Sequence, residues 1–229
     1  MKIGFHGVEL PDGKVKYHDR RLQALEHKMQ PKKTTPFFVE FLRDEFVQAD
    51  AILISRATLL DLLILDMEKL ENRRERADDE RERVLLSAWL TTLEQERPLC
   101  EAVLQPAELA LARSLAPVSL KPTVIVDAAP ESDAAIEAAL AKAGMTFFYT
   151  AGKQEVHAWP VPIDSDIVTC AGKIHTDFAR GFIRADVVAY DDFMSVHGMQ
   201  DARQRGLVKA VGRDYRIVPF DIIEVHFSV

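Results

Sequence analysis

The run Ala171-Gly-Lys-Ile-His-Thr-Asp-Phe-Ala-Arg-Gly-Phe182, in the last third of the 229-residue chain, decides how the rest is read. Its His175-x-Asp177 pair has the form of a base with an orienting carboxylate. No Ser or Cys nucleophile stands in a recognisable context, so Thr176 and Asp177 read as caps of a helix or turn, with His175 held by hydrogen bonds. On either side the apolar period is two: Val156/Ala158, Ile183/Ala185/Val187/Ala189 and Ile223/Val225/Phe227/Val229 alternate as strands do. Trp159 and Tyr190 fall in these strand-like runs and read as packing residues. A strand-rich domain is expected over 145–229.

Upstream, the pattern is mixed. Residues 2–8, 36–42 and 51–54 read as short strands, and His18–Gln30 as a helix stopped by Pro31. From Arg56 the spacing turns helical, with Leu59, Leu60, Leu63, Met67 and Leu70 as the apolar stripe and Asp61, Asp66 and Lys69 on the polar face. The charged run Glu71–Arg83 follows, then a second stripe through Leu85, Ala88, Trp89 and Leu93, ending at Pro98. A helical hairpin over about 56–97, with its tip near Ala77-Asp78-Asp79, is the simplest solution. Pro106 to about Leu115 is a further helix. Lys121–Asp127 reads as a buried strand, and Ser132 to Gly144 as a helix with its two caps.

Composition sets bounds. The net charge of −7 opposes broad, sequence-independent nucleic-acid binding, although a local basic patch is compatible with it. Cys100 and Cys170 lie far apart and read as free thiols in a reducing compartment. The seven histidines show no metal-ligand spacing, so no metal site is expected. With no long apolar run, the chain reads as cytoplasmic, with no membrane association.

Together with Phe148-Tyr-Thr-Ala-Gly152 and Gly212-Arg-Asp-Tyr215, the 171–182 run resembles the C-terminal TGS domain of the Obg-like ATPases, the YchF family. Weaker, gapped similarity covers about 20–127. Leu22–Lys33 is similar to the family's helix before its third strand, Leu59–Arg76 to the start of its coiled-coil insertion, and Leu109–Pro122 to the return from it. The resemblance implies α/β plus α+β architecture. Its parts would be a reduced G-domain-like α/β core over 1–144, carrying the hairpin, and a β-grasp (ubiquitin-like) TGS domain over 145–229.

The nucleotide motifs that the resemblance calls for are damaged. A P-loop needs glycines, a Lys and a magnesium-holding Ser/Thr. Here five residues separate Gly7 from Gly13, Lys14 is followed by Val15, and Glu9 and Asp12 bring negative charge. The same residues also resemble a later family segment, a strand and Pro-Asp ahead of an Arg-Leu helix. Pro36-Phe-Phe-Val-Glu-Phe41 resembles the strand before the family's Asp-x-x-Gly loop, but Arg43 stands at the Asp position and no glycine follows. Asp127-Ala-Ala-Pro130, with Glu131 one place late, replaces the Asn-x-x-Glu base-recognition loop.

The sequence therefore predicts a non-catalytic binding or regulatory protein with no cofactor. The resemblance makes the ribosome or RNA the first partner, with a protein partner as the other candidate, met through His175, Thr176, Asp177 and Arg180, and through Arg203, Arg205, Lys209, Arg213 and Arg216. Those last five cations lie in 14 residues holding one acid, Asp214. The alternative is residual binding or hydrolysis of ATP or GTP with magnesium at Gly7, Gly13 and Lys14. A homodimer formed through surface left by the missing switch segment is the third possibility.

Overall fold

Eleven strands and nine α-helices follow one another in the computed structural model, which describes residues 1–228. They begin with β1 (Lys2–His6), β2 (Gly13–Lys16), α1 (Arg20–Met29), β3 (Lys33–Thr35), β4 (Phe38–Arg43) and β5 (Ala51–Ser55). The middle is helical: α2 (Leu59–Arg76), α3 (Glu80–Glu94) and α4 (Pro106–Leu115), then β6 (Thr123–Val126) and α5 (Ser132–Lys142). The last part runs β7 (Met145–Ala151), β8 (Glu155–Pro162), α6 (Ile167–Ile174), α7 (Thr176–Arg180), β9 (Phe182–Val188), α8 (Tyr190–Ser195), α9 (Met199–Gln204), β10 (Lys209–Val211) and β11 (Ile222–Phe227). Val229, read above as the last alternating position, lies outside the described residues.

Contacts divide the chain into two compact units, one of Met1–Val15 with Val39–Ala143, the other of Lys16–Phe38 with Gly144–Val229. The sequence reading put 16–38 in the N-terminal domain; its contacts group it with the C-terminal residues.

The first unit holds a sheet of order β2-β4-β1-β5-β6, in which β1 runs parallel to β4 and β5, and β5 parallel to β6. Central strands β1 and β5 are buried along most of their length, as near-continuous apolar runs in parallel sheets are. β6, expected to be buried, is the sheet's edge and three of its four residues are half-buried.

The hairpin α2–α3 turns at 77–79 as expected, with Arg73 Nε 2.6 Å from Glu82 Oε1 across it. Its stripes need correcting. Leu60 is exposed and Leu62 buried on α2, while on α3 Leu86 and Leu90 are buried and Ala88 is exposed. Asp66, read as a polar-face residue, is fully buried. Its two carboxylate oxygens accept from Val118 N (2.6 Å) and Ser119 N (2.7 Å), capping the 3-10 turn Val118–Leu120. A buried carboxylate is tolerated because both oxygens have backbone donors.

The second unit holds a sheet of order β10-β9-β11-β7-β8-β3. Its strand pairs are antiparallel except β11 with β7 and β3 with β8. One face, through Phe148, Phe182, Ala185, Val187 and Ile223, packs on Ile167, Cys170 and Ala171 of α6. Successive strand residues point to opposite faces, so Phe147 and Tyr149 look the other way. There Tyr17 stacks on Phe147, and α1 packs on β7 and β8 with Leu22, Leu25 and Met29 buried.

Two expectations fail in β9. Ile183 is 60% exposed and Ala189 is exposed beyond the strand end. A register shift pairs Phe227 with Phe182 after His226 with Arg184. That bulge inserts one residue and so turns Phe182 inward where Ile183 would have been. Tyr190, read as strand, is the first residue of α8. Ser132 opens α5, and Glu131 is its N-cap. Cys170 is buried and Cys100 half-buried, both as free thiols. Burial pushes the Cys170 thiol up to about 12. Among the described residues, no helix is long and apolar enough to cross a membrane, and no cluster of three or more His, Cys, Asp or Glu could hold a metal.

Candidate functional site

In an open parallel sheet the carboxyl ends of the strands are where ligands bind, and the candidate glycines Gly7 and Gly13 flank the loop that leaves β1. Gly7 has a left-handed φ of 69°, a conformation that favours glycine. A Cβ there would run into Thr58 Oγ1 and lie 2.9 Å from Ser55 Cβ. The space above Gly7 is therefore taken by the chain's own residues. Val8 and Leu10 are buried, and Gly13-Lys14 opens strand β2 rather than a helix. Backbone donors at a helix N-terminus are what cradle phosphates in a P-loop; this loop does not lead to one.

The neighbouring strand ends are also engaged. Arg43, at the end of β4, donates from Nη2 to Leu10 O (3.3 Å), and its guanidinium lies 4.9 Å from the Phe5 ring centroid. His6, at the end of β1, sits between two carboxylates, with Nδ1 2.6 Å from Asp44 Oδ1 and Nε2 3.3 Å from Asp61 Oδ2. Only an imidazolium can donate from both nitrogens. The Asp44 bond raises the pKa of His6, and the Asp61 bond adds to it against the opposing effect of burial. Arg56, after β5, meets Asp127, after β6, at 2.7 Å.

The short segment after β4 is tied down by Lys121, whose ammonium donates to the carbonyls of Phe46 (2.9 Å), Val47 (2.5 Å) and Ala49 (2.7 Å). Burial lowers its pKa, partly opposed by Asp50. Neither Lys121 nor the His6 cluster was picked out from the sequence, because their partners are 38 to 75 residues away.

In the second unit, the 171–182 run forms the end of α6, all of α7 and the start of β9. His175, not Thr176 or Asp177, is the N-cap of α7: its Nδ1 accepts from Asp177 N at 3.2 Å. Arg180 pairs with Asp177 at 3.0 Å, while His175, Thr176 and Arg180 are exposed. Gly181 is required by packing, since a Cβ would strike Ser228 O.

The arginines of 203–216 are not a common cationic patch. Arg203 reaches Asp186 (2.7 Å) and Glu224 (2.9 Å), and Arg205 reaches Asp201 (2.8 Å). Arg213 donates to Phe182 O (3.0 Å) and lies over the Phe182 ring. Arg216 donates to Asp164 O (3.0 Å). Lys209 is exposed on the edge strand β10. Tyr215 donates its hydroxyl to Asp221 (2.9 Å), whose pKa is raised by burial. The four arginines near the chain end are thus engaged by groups of the unit itself, and Lys209, among the described residues, is not.

Residues 145–228 match the family model YchF-GTPase_C, described as a protein of unknown function (DUF933). That segment is a YchF-type C-terminal domain. Among relatives, the chain is 41% identical over 97 residues to the ribosome-binding ATPase YchF of Bacillus subtilis, an alignment covering 42% of this chain and 26% of that one. Its likeness to the ribosome-binding ATPase YchF of Escherichia coli O157:H7 is 42% over 82 residues, covering 36% and 23%. The matched stretch is thus about a quarter of the length of these relatives. The structure of the Schizosaccharomyces pombe YchF GTPase superposes with a TM-score of 0.80 at 16% identity, over 99% of this chain and 97% of that one, which shows a shared fold.

Proposed function

We propose that this protein is a non-catalytic binding module, a pseudo-GTPase with a degenerate P-loop whose TGS-like unit contacts the ribosome. The observation that carries this reading is the loop after β1. It closes over Gly7 with Thr58 and passes into strand β2, so the loop does not itself lead into a phosphate-cradling helix. Val15 in the metal-ligand place and the arginine at position 43 add to it. Phosphoryl transfer relies on positioning and charge stabilisation, and here the strand ends are filled by the protein's own ion pairs. The partner class comes from the named relatives, which bind ribosomes.

The second unit supports the β-grasp part of the reading. Its β8-β7-β11-β9-β10 order puts parallel β7 and β11 at the centre, with α6 across one face.

A thermal-shift titration with ATP and GTP, with and without magnesium, tests the loss of nucleotide binding. A ligand at about 100 times its dissociation constant stabilises by about 2.7 kcal/mol, a shift of several degrees. The reading predicts no shift at millimolar nucleotide. A magnesium-dependent shift that Lys14→Ala abolishes would replace it with residual nucleotide binding or hydrolysis.

A further inference from the structure

The densest group of second-unit cations without carboxylate partners comes from a segment that the 203–216 count overlooks. Between Lys16 and Thr35 stand six Lys/Arg (Lys16, Arg20, Arg21, Lys28, Lys32 and Lys33) against two acids, Asp19 and Glu26. Both acids are already engaged. Asp19 is buried and accepts from Arg21 N and from the Tyr149 hydroxyl, and Glu26 accepts from the Thr34 hydroxyl at 2.7 Å. Of the six cations, only Lys33 meets a carboxylate among the described residues, Glu155 at 3.0 Å.

The fold then gathers these charges. Lys32 N donates to Lys153 O (3.1 Å), which sets a seventh cation, Lys153, beside the segment that follows α1. Lys153 Nζ donates to Met29 O, and Lys28 Nζ to Met194 O. Both bonds are to neutral carbonyls, so the charges stay uncompensated around the C-terminal end of α1. About 15 Å away at the other end of this ten-residue helix, Arg20 and Arg21 are exposed. The Arg21 guanidinium lies 3.6 Å from the Phe220 ring centroid and 5.8 Å from that of Tyr190, and both rings are half-buried.

We propose that this α1 surface, made by Arg20, Arg21, Lys28, Lys32 and Lys153, is where the protein meets RNA. The proposal rests on the ribosome-binding reading and assigns it a surface. Lysine point charges without carboxylates suit a phosphate backbone, whose neutralisation releases counterions. The Arg21–Phe220–Tyr190 group adds flat faces on which an unpaired base can stack. Exposed acids Asp191 and Asp192 follow Tyr190, so the phosphates track the lysine end and the aromatic end takes a base. An acidic protein partner would use the charges but not the stacking faces.

The test uses the full chain, purified ribosomes and a fluorescein-labelled fragment of ribosomal RNA, over a series of salt concentrations. The probe variant is Arg20→Glu/Lys32→Glu, because both side chains are exposed and neither makes a side-chain bond among the described residues; a thermal scan checks that it folds. Each lost phosphate contact lowers the salt slope by roughly one, so the double variant should lose about two from the slope and bind RNA about tenfold more weakly or less. A Tyr190→Ala variant should weaken RNA binding with no change in slope. Equal binding of both forms to ribosomes and RNA would overturn the surface while leaving the ribosome reading intact. Ribosome binding lost in the variant, with no binding of naked RNA by either form, would overturn RNA in favour of an acidic protein. No ribosome binding by the unaltered chain would remove the parent reading itself.

Discussion

The arginines of 203–216 and the cations of 16–33 both belong to the second unit, yet they carry opposite meanings. In the first set Arg203, Arg205 and Arg216 each have a carboxylate within 4.0 Å and Arg213, among the described residues, has only a carbonyl, and Arg203 serves a carboxylate, Asp186, whose side chain is only 3% exposed. In the second, one of six cations has a carboxylate partner among the described residues, and Lys28 has only a carbonyl. Local density of charge in sequence pointed to the first set. What decides availability is where the acids fold to, and Asp186, Asp201 and Glu224 fold onto the arginines.

If that contrast is right, the two sets respond differently to substitution. The largest stability effect belongs to Arg203→Ala. It strips the buried Asp186 of its best partner, leaving Arg184 at 3.5 Å and His226 at 3.2 Å. Losing one partner of a fully buried pair costs about 3 kcal/mol; with Arg203 39% exposed the loss should be smaller, about 2 kcal/mol, read as a lower urea midpoint. A midpoint equal to the parent's would mean that Arg203 is available for a partner after all.

Tyr149→Phe comes next. It removes the 2.6 Å bond that joins β7 to the buried Asp19 at the head of α1. A loss of about 1.5 kcal/mol is expected, together with weaker RNA binding as α1 loosens. Unchanged stability would detach the basic segment from the matched domain.

A milder effect is expected from His6, where the first unit neutralises itself in the same manner. Its pKa is raised above the ordinary 6.5 by Asp44. The stabilisation is therefore complete below about pH 6.5 and is lost as pH rises through the raised folded value. The pair is partly exposed, so the amplitude should stay under about 1 kcal/mol. Unfolding midpoints of the parent and His6→Gln should converge above neutral pH; a gap that widens with pH would contradict the assignment. Smallest of all, Arg205→Gln should leave both stability and RNA affinity unchanged, because its pair with Asp201 is at the surface. A marked loss of RNA affinity would restore the 203–216 patch.

Much of the architecture can be read from local pattern. Pro106 starts α4, the hairpin turns at Ala77-Asp78-Asp79, and the period-two runs mark β8, β9 and β11. Where side chains lie relative to a single bulge or a distant acceptor is not local. Ile183 points outward because β9 gains one residue opposite His226 and Phe227. Asp66 is buried because the backbone donors to its carboxylate, Val118 N and Ser119 N, arrive 52 and 53 residues later. The same distance hid the α1 surface, since α1 packs on β7 and β8 more than 100 residues along the chain. Gly181 and Tyr215, by contrast, stood out in the sequence, and packing on Ser228 and Asp221 accounts for both.

The claim that binding goes on without nucleotide is tested most directly by ribosome co-sedimentation of the full chain, with and without millimolar ATP or GTP and magnesium. With the space above Gly7 taken by Thr58, the account predicts salt-sensitive pelleting that is identical in every nucleotide condition. Pelleting that appears, or disappears, only when nucleotide and magnesium are present would contradict it.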